Sequence, residues 1–379
     1  PPSCAASNAS PDTPPKAESM AAQRMPAIRA AVQIMKDEGV DIAFGCPGAA
    51  LLPLYTAMEE VGGIGHLPVR REEAAAHMAY GWTRTSERVG VAAVPAGPGA
   101  SRLVTGLYAA QQDAVPLVCV TGRTGTGPLR HTAFRPPDLV RLAGPVTKRA
   151  ERIEDPERIP GAFREAFRIA REGRPGPVLI DVPADLAAAE IAYDAERGVG
   201  TGPRPSGAGS AYGAAPRPPA AADLGGLRAP TSGALESGTL AEIAGLFGPN
   251  PYVVSGATGS YARSGPPGWE VPAAIGVRKA LDSRGEPDAE VVAVVDGQGL
   301  PHMAEELAAA VRHEVPFVLI MLTPLDHEAD FTDHVKLAEA YGCAGRDVLD
   351  PAELRSAAEW ARKEAVSTRR PVLIEVRAA

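Results

Sequence analysis

One stretch that cannot build a core cuts the chain into two blocks. Residues 197–234 are dominated by Gly, Pro, Ala and Ser. Such a segment buries too little apolar surface to offset the entropy of ordering it, and it reads as a disordered linker. On either side, short apolar runs alternate with segments of helical period. Strands that are apolar on both faces belong in a parallel sheet covered by helices on both sides. The expected fold class is α/β, with two domains of this kind at residues 23–196 and 235–379, joined by the linker. Residues 1–22 lack the apolar stretch of a signal peptide and read as a disordered tail, with Met20 and Met25 as candidate starts.

In the first block a helix is expected over 25–39, ended by Gly39, and then a strand at 40–45. Further strands are expected at 63–69, 89–95, 115–122 and 176–183, with helices at 72–85, 102–112 and 156–173. In the second block strands are expected at 251–256, 289–297, 315–322 and 370–376, with helices at 269–281, 300–313 and 334–342. The two blocks share an alternation, so two similar folds facing each other are a natural arrangement.

Composition narrows the function. The net charge of −8 argues against nucleic acid, which requires a basic face. No apolar run approaches the ~18 residues of a membrane span. The four cysteines, Cys4, Cys46, Cys119 and Cys343, form no CxxC pair. Neither a zinc site nor a disulfide framework is indicated, and a reducing cytoplasm fits.

Five motifs sit where strands hand over to helices. Gly45-Cys46-Pro47-Gly48 is a turn whose glycines permit close backbone approach to a ligand, or simply a tight connection. Arg70-Arg71-Glu72-Glu73 opens a helix, where acidic residues also complement the helix dipole. Ala96-Gly97-Pro98-Gly99-Ala100-Ser101 is a weak anion-loop signal that fits neither a Walker A nor a GxGxxG pattern. Gly265-Pro266-Pro267-Gly268-Trp269 feeds another helix, and Asp296-Gly297-Gln298-Gly299 follows a strand. An Asp at a strand end can ligate magnesium beside a diphosphate, or cap the next helix.

Taken in order, these motifs resemble the thiamine diphosphate (ThDP) enzymes, most nearly glyoxylate carboligase and acetolactate synthase. The likeness covers most of the chain outside the tail and linker. It implies a pyrimidine-binding domain first and a shortened diphosphate-binding domain last. It also implies ThDP with Mg2+, a small 2-oxo acid as substrate, and a homodimer or homotetramer, with a separate partner subunit as a further option. Glu72 matches the glutamate that contacts the aminopyrimidine in this family. Glyoxylate carboligases carry an apolar residue there, so Glu72 leans toward the acetolactate synthase kind. The resemblance assigns the cofactor to Pro47, Gly48, Gly97, Pro98, Gly99, Arg123, Gly265, Pro267, Gly268, Trp269, Gly297 and Gln298.

Several positions depart from the family pattern. The metal-binding Asp aligns with Gly297, leaving its carboxylate at Asp296, and the Asn-Asn pair reads Thr323-Pro324. Asp296 and Thr323 are therefore the candidate metal ligands. The bulky residue that normally bends the cofactor is Pro267. Two usual glutamines are Arg123 and Arg135, which would favour an anionic ligand or be solvated surface. The family's central domain is replaced by the linker, so no flavin (FAD) is expected. These departures also admit a second reading, a non-catalytic descendant that binds a ligand or partner on the same fold.

Overall fold

The computed structural model describes residues 23–125, 137–193, 242–247, 251–255, 265–296, 299–324 and 333–378. The 1–22 tail, the 197–234 linker, Arg135, Gly297 and Gln298 lie outside them.

The first unit runs β1 (Gln23–Pro26), α1 (Ala27–Asp37), β2 (Ile42–Gly45), α2 (Leu52–Val61), β3 (Gly65–Pro68), α3 (Glu72–Ser86), β4 (Gly90–Pro95) and α4 (Leu103–Gln112). It continues with β5 (Leu117–Arg123), α5 (Leu139–Ala143), β6 (Arg149–Arg152), α6 (Ile159–Arg171), β7 (Pro177–Pro183), α7 (Ala184–Ala188) and β8 (Glu190–Tyr193). Six strands form a parallel sheet in the order β3-β2-β4-β5-β7-β6, and β1 pairs antiparallel with β8 as a separate ribbon. The helix expected from residue 25 starts at Ala27 because the preceding residues are taken into that ribbon. Helix α6 shows why these segments are helical. Ile159, Ala162, Phe163, Ala166, Phe167 and Ala170 recur at 3.6-residue spacing and are all buried.

The second unit runs β9 (Tyr252–Val254), α8 (Glu270–Ser283), β10 (Val291–Asp296), α9 (Leu300–Met303), α10 (Glu305–Arg312), β11 (Val318–Pro324), α11 (His334–Ala340), β12 (Ala344–Val348), α12 (Leu354–Thr368) and β13 (Val372–Ala378). Its five strands are parallel in the order β12-β13-β11-β10-β9. The single helix expected at 300–313 is broken at Ala304 into α9 and α10. Both sheets carry helices on both faces, as the alternation requires.

Side chains alternate across each sheet. In the first, Ala43, Val91, Val118 and Val178 face α1 and α6, whereas Phe44, Ala92, Cys119 and Leu179 face α3 and α4. In the second, Val292, Ile320 and Ile374 face α12, whereas Ala293, Leu319 and Leu373 face α8 and α10. The two inner faces meet in one hydrophobic cluster that runs from sheet to sheet through α3 and α8. The units thus share a core.

At the α3–α8 crossing the backbones touch. A Cβ on Gly81 would lie 2.1 Å from the Ala273 carbonyl oxygen, and one on Gly276 would lie 1.9 Å from that of Met78. Only glycine leaves room for the helices at this separation. The seam also encloses His77, fully buried and tilted against Trp269 at 6.1 Å between ring centroids. Neither of its ring nitrogens has a hydrogen-bond partner. Burial alone lowers its pKa to about 4, so the ring is neutral.

Two outcomes follow from this seam. Gly276→Ala is expected to cost about 1–3 kcal/mol of unfolding free energy, read from the urea midpoint. His77→Leu is expected to remove an acid-sensitive loss of stability. The native ring resists a proton that the unfolded chain accepts, so wild type weakens as the pH falls from 6.5 toward about 4. Melting curves across that window should diverge, with the Leu variant the more stable at the acid end.

Candidate functional site

The site is built at the strand ends of both units. In the first, the turn after β2 packs under the end of β4, where a Cβ on Gly48 would meet the Pro95 ring at 2.9 Å. Pro47 is exposed at the lip of this turn. The 3-10 turn Pro98–Arg102 follows β4, with Pro98 exposed and Gly97 and Gly99 half-buried. A Cβ on Gly99 would fall 1.9 Å from Glu72 Oε1. Glycine at 99 therefore creates the space the carboxylate occupies. Glu72 is the first residue of α3, its side chain 20% exposed, with Arg102 Nη1 4.0 Å away. The structure sets Gly99 against Glu72, and Cys46 of the GxPG turn lies within reach of the Glu72 charge.

In the second unit, Gly268 has φ +81, and a Cβ there would meet the Gly299 carbonyl oxygen at 2.2 Å. A Cβ on Gly299 would lie 3.0 Å from both Asp296 Oδ1 and the Gly268 backbone nitrogen. The GPPGW turn and the end of β10 thus converge. Asp296 Oδ1 is buried with no hydrogen-bond partner among the described residues. Gly265 lies against the Trp269 indole, where a Cβ would meet Cδ1 at 2.5 Å, and Pro267 is exposed. Trp269 itself is 2% exposed and packs edge-on to Tyr80 at 5.9 Å, so its ring belongs to the seam between the units.

Two candidates lead elsewhere. Arg123, at the end of β5, pairs with buried Asp181 at 3.5 Å, which also accepts from Thr121 and Arg152 at 2.9 Å. Its guanidinium is neither free surface nor open to a ligand on that side. Thr323 donates its hydroxyl proton to Glu375 at 3.1 Å, and His334 Nδ1 lies 3.3 Å from the same oxygen. Burial works to raise the Glu375 pKa, but the hydrogen bonds and charges of His334 and Arg377 hold it below its usual value. Asp296 is in register with Leu322, so Asp296 and Thr323 leave the ladder toward opposite faces. The sheet does not bring these two candidate ligands together. Among the described residues, no three His, Cys, Asp or Glu side chains gather as a metal site.

The ThDP fit can be judged on these contacts. The Gly99 cradle and the Glu72 carboxylate suit an aminopyrimidine ring. The orphaned Asp296 oxygen beside the Gly268 and Gly299 backbones suits a cation next to a diphosphate.

One buried carboxylate at this junction was missed in the sequence. Glu306 on α10 is fully buried, and its Oε1 accepts from the backbone N–H groups of Arg70 at 3.0 Å and Arg71 at 2.9 Å. Burial raises its pKa to about 7, against the lowering effect of those two amides. Nothing in the pattern separates it from a solvated Glu such as Glu305, except its place on the apolar side of α10. Cys46 lies nearby, its thiol on the Val69 carbonyl oxygen. Burial pushes that thiol up to about 12, with the charges of Glu72 and Glu306 adding to the effect, so it is no thiolate nucleophile.

Comparison with known proteins gives the family of the chain. The sequence model for "Thiamine pyrophosphate enzyme, N-terminal TPP binding domain" matches residues 25–142, and that for the C-terminal TPP binding domain matches residues 240–324. The chain belongs to the thiamine diphosphate enzyme family. Neither matched region includes a central domain. Glyoxylate carboligase of Escherichia coli O157:H7 is 41% identical over 172 residues, which is 45% of this chain and 29% of that protein. The acetolactate synthase large subunit of Haemophilus influenzae is 41% identical over 165 residues, 44% of this chain and 29% of the relative. The chain therefore spans less than a third of the length of these curated relatives. A thiamine diphosphate-dependent 4-hydroxybenzoylformate decarboxylase of Rhodococcus jostii RHA1 superposes with a TM-score of 0.70 at 18% identity, over 93% of this chain and 99% of that one. That likeness concerns the fold. No helix among the described residues is long and apolar enough to cross a membrane.

Glu306 gives the site a pH signature. Its folded pKa of about 7 exceeds the ordinary 4.5, so the folded state holds a proton that the unfolded state releases. Stability from this group is full below pH 4.5 and declines as the pH rises to about 7, by about 3 kcal/mol in total. Glu306→Gln should flatten that part of the stability–pH curve, measured by denaturant titration from pH 4.5 to 8.

Proposed function

We propose that this chain is a ThDP-dependent carboligase or decarboxylase acting on a small 2-oxo acid, of the acetolactate synthase or glyoxylate carboligase kind. The observation that carries this reading is the Glu72 carboxylate, held at the head of α3 in a glycine-lined recess. When bound, ThDP supplies a carbon nucleophile and an electron sink for a 2-oxo acid. Glu72 would hold the aminopyrimidine at N1′ and move a proton there. The recess at Gly99 keeps the carboxylate half-screened from water, which strengthens that hydrogen bond. Asp296 would take Mg2+ on its buried Oδ1, and the Gly268 backbone nitrogen lies close to the same region. Pro47, Gly48, Gly97 and Pro98 would line the mouth.

The presence of Glu72, rather than an apolar residue, favours an acetolactate synthase-like proton path. A subunit pair fits the family, as a homodimer or homotetramer. The competing reading is a non-catalytic descendant. It draws support from the Thr323 hydroxyl, which is already engaged by Glu375.

Calorimetric titration with ThDP and Mg2+, and carbon dioxide release from pyruvate or glyoxylate, separate the two. Binding is expected, with Glu72→Gln retaining ThDP but losing about 10²–10⁴-fold in kcat. No heat at saturating cofactor, with a folded protein, would remove the enzymatic reading.

A further inference from the structure

Glu306 does something that neither the motifs nor the proposed chemistry assigns. It sits on α10 of the second unit, yet it bonds the first unit's backbone. Helix α3 begins at Glu72, and its N-cap residue, Arg71, makes no side-chain cap hydrogen bond. The amides of Arg70 and Arg71 lead into its first turn, and both end on one oxygen of Glu306. A helix start left without partners in a buried place is costly. Here the partner comes from across the seam.

The neighbouring charges do not share this task. Arg71 pairs through its guanidinium with Glu73, and more loosely with Glu305 at 3.7 Å. Those contacts are between side chains, so they do not fix the main chain. Of the three carboxylates around Arg71, Glu306 is the one that bonds the backbone among the described residues. The bonded carboxylate is fully buried, so its geometry is set by packing, with Leu307 and Met303 beside it in the shared core. The Glu306 and Glu72 charges both bear on Cys46, which places the two carboxylates around one thiol.

We propose that Glu306 is a positioning residue that docks the first turn of α3 onto the second unit and so holds Glu72 against Gly99. The role rests on the ThDP reading for its catalytic meaning, but the docking itself does not require cofactor. Its requirement is reach. One carboxylate oxygen must lie within hydrogen-bond distance of two amides at once. Aspartate keeps the charge but is one methylene shorter, about 1.5 Å. That leaves the amides, now at 3.0 and 2.9 Å, out of range. Glutamine keeps the reach and a carbonyl acceptor but loses the charge.

The test is amide hydrogen exchange of the full chain without cofactor, followed over residues 68–74. Glu306→Asp should speed exchange there by about tenfold or more, with α8 and β10 as protected as in wild type. Glu306→Gln should stay within about threefold of wild type. A role in charge alone would give the reverse order, and protection unchanged in Glu306→Asp would equally overturn the proposal. Should the protein bind ThDP and turn over, Glu306→Asp should lower kcat far more than it alters KM, and Glu306→Gln should restore it. Failure of turnover in wild type would count against the enzymatic reading and leave the exchange result standing.

Discussion

Backbone contact between α3 and α8 is the constraint on which the remainder depends. Two glycines, Gly81 and Gly276, let each helix lean on the other's carbonyl oxygens. Dispersion and apolar burial then act over the full length of both helices. This closeness makes one core out of two sheets. It brings the head of α3 within reach of α10, so that Glu306 can bond Arg70 and Arg71. It also seals Trp269, Tyr80 and His77 away from water. A wider crossing would leave the two recesses on separate bodies.

The site is acidic, and the structure manages that acidity in three ways. Glu72 and Glu73 lie in the first turn of α3, where the helix dipole favours negative charge. Arg71 and Arg102 stand beside them. Glu306 is placed so deep that burial favours its neutral form near pH 7. The last of these lowers the repulsion that four carboxylates, with Glu305, would otherwise exert on one another. It also explains why a buried Glu tolerates an oxygen with no partner.

Much of the fold could be read from the pattern. The apolar strands at Val91, Val118, Ile180, Val292 and Ile320 are continuous enough to announce parallel sheets. Helices α3, α4, α6 and α8 follow from their periodicity. What escaped has physical causes. The strand β6 is four half-buried residues, Arg149–Arg152, three of them charged, and Ala150 alone gives no apolar run to read. Helix α12 buries only a narrow stripe, chiefly alanines, and Ala344–Val348 contains two charged residues at a sheet edge. At the site, glycine motifs were legible because close backbone approach demands glycine. The partners of Arg123 and Thr323 were not, because Asp181 and Glu375 lie on neighbouring strands far along the chain. Long-range pairing of that kind leaves no local trace.

The placement of the tryptophans has an optical consequence. Of the three in the chain, Trp82 and Trp269 are buried at the helix seam, Trp82 beneath the Arg88 guanidinium. Trp360 lies apart on α12, under Arg346. The intrinsic emission of this protein is thus weighted toward the junction of its halves. Any event that spreads them will register as a red shift, while disturbance of the outer layer falls to one indole.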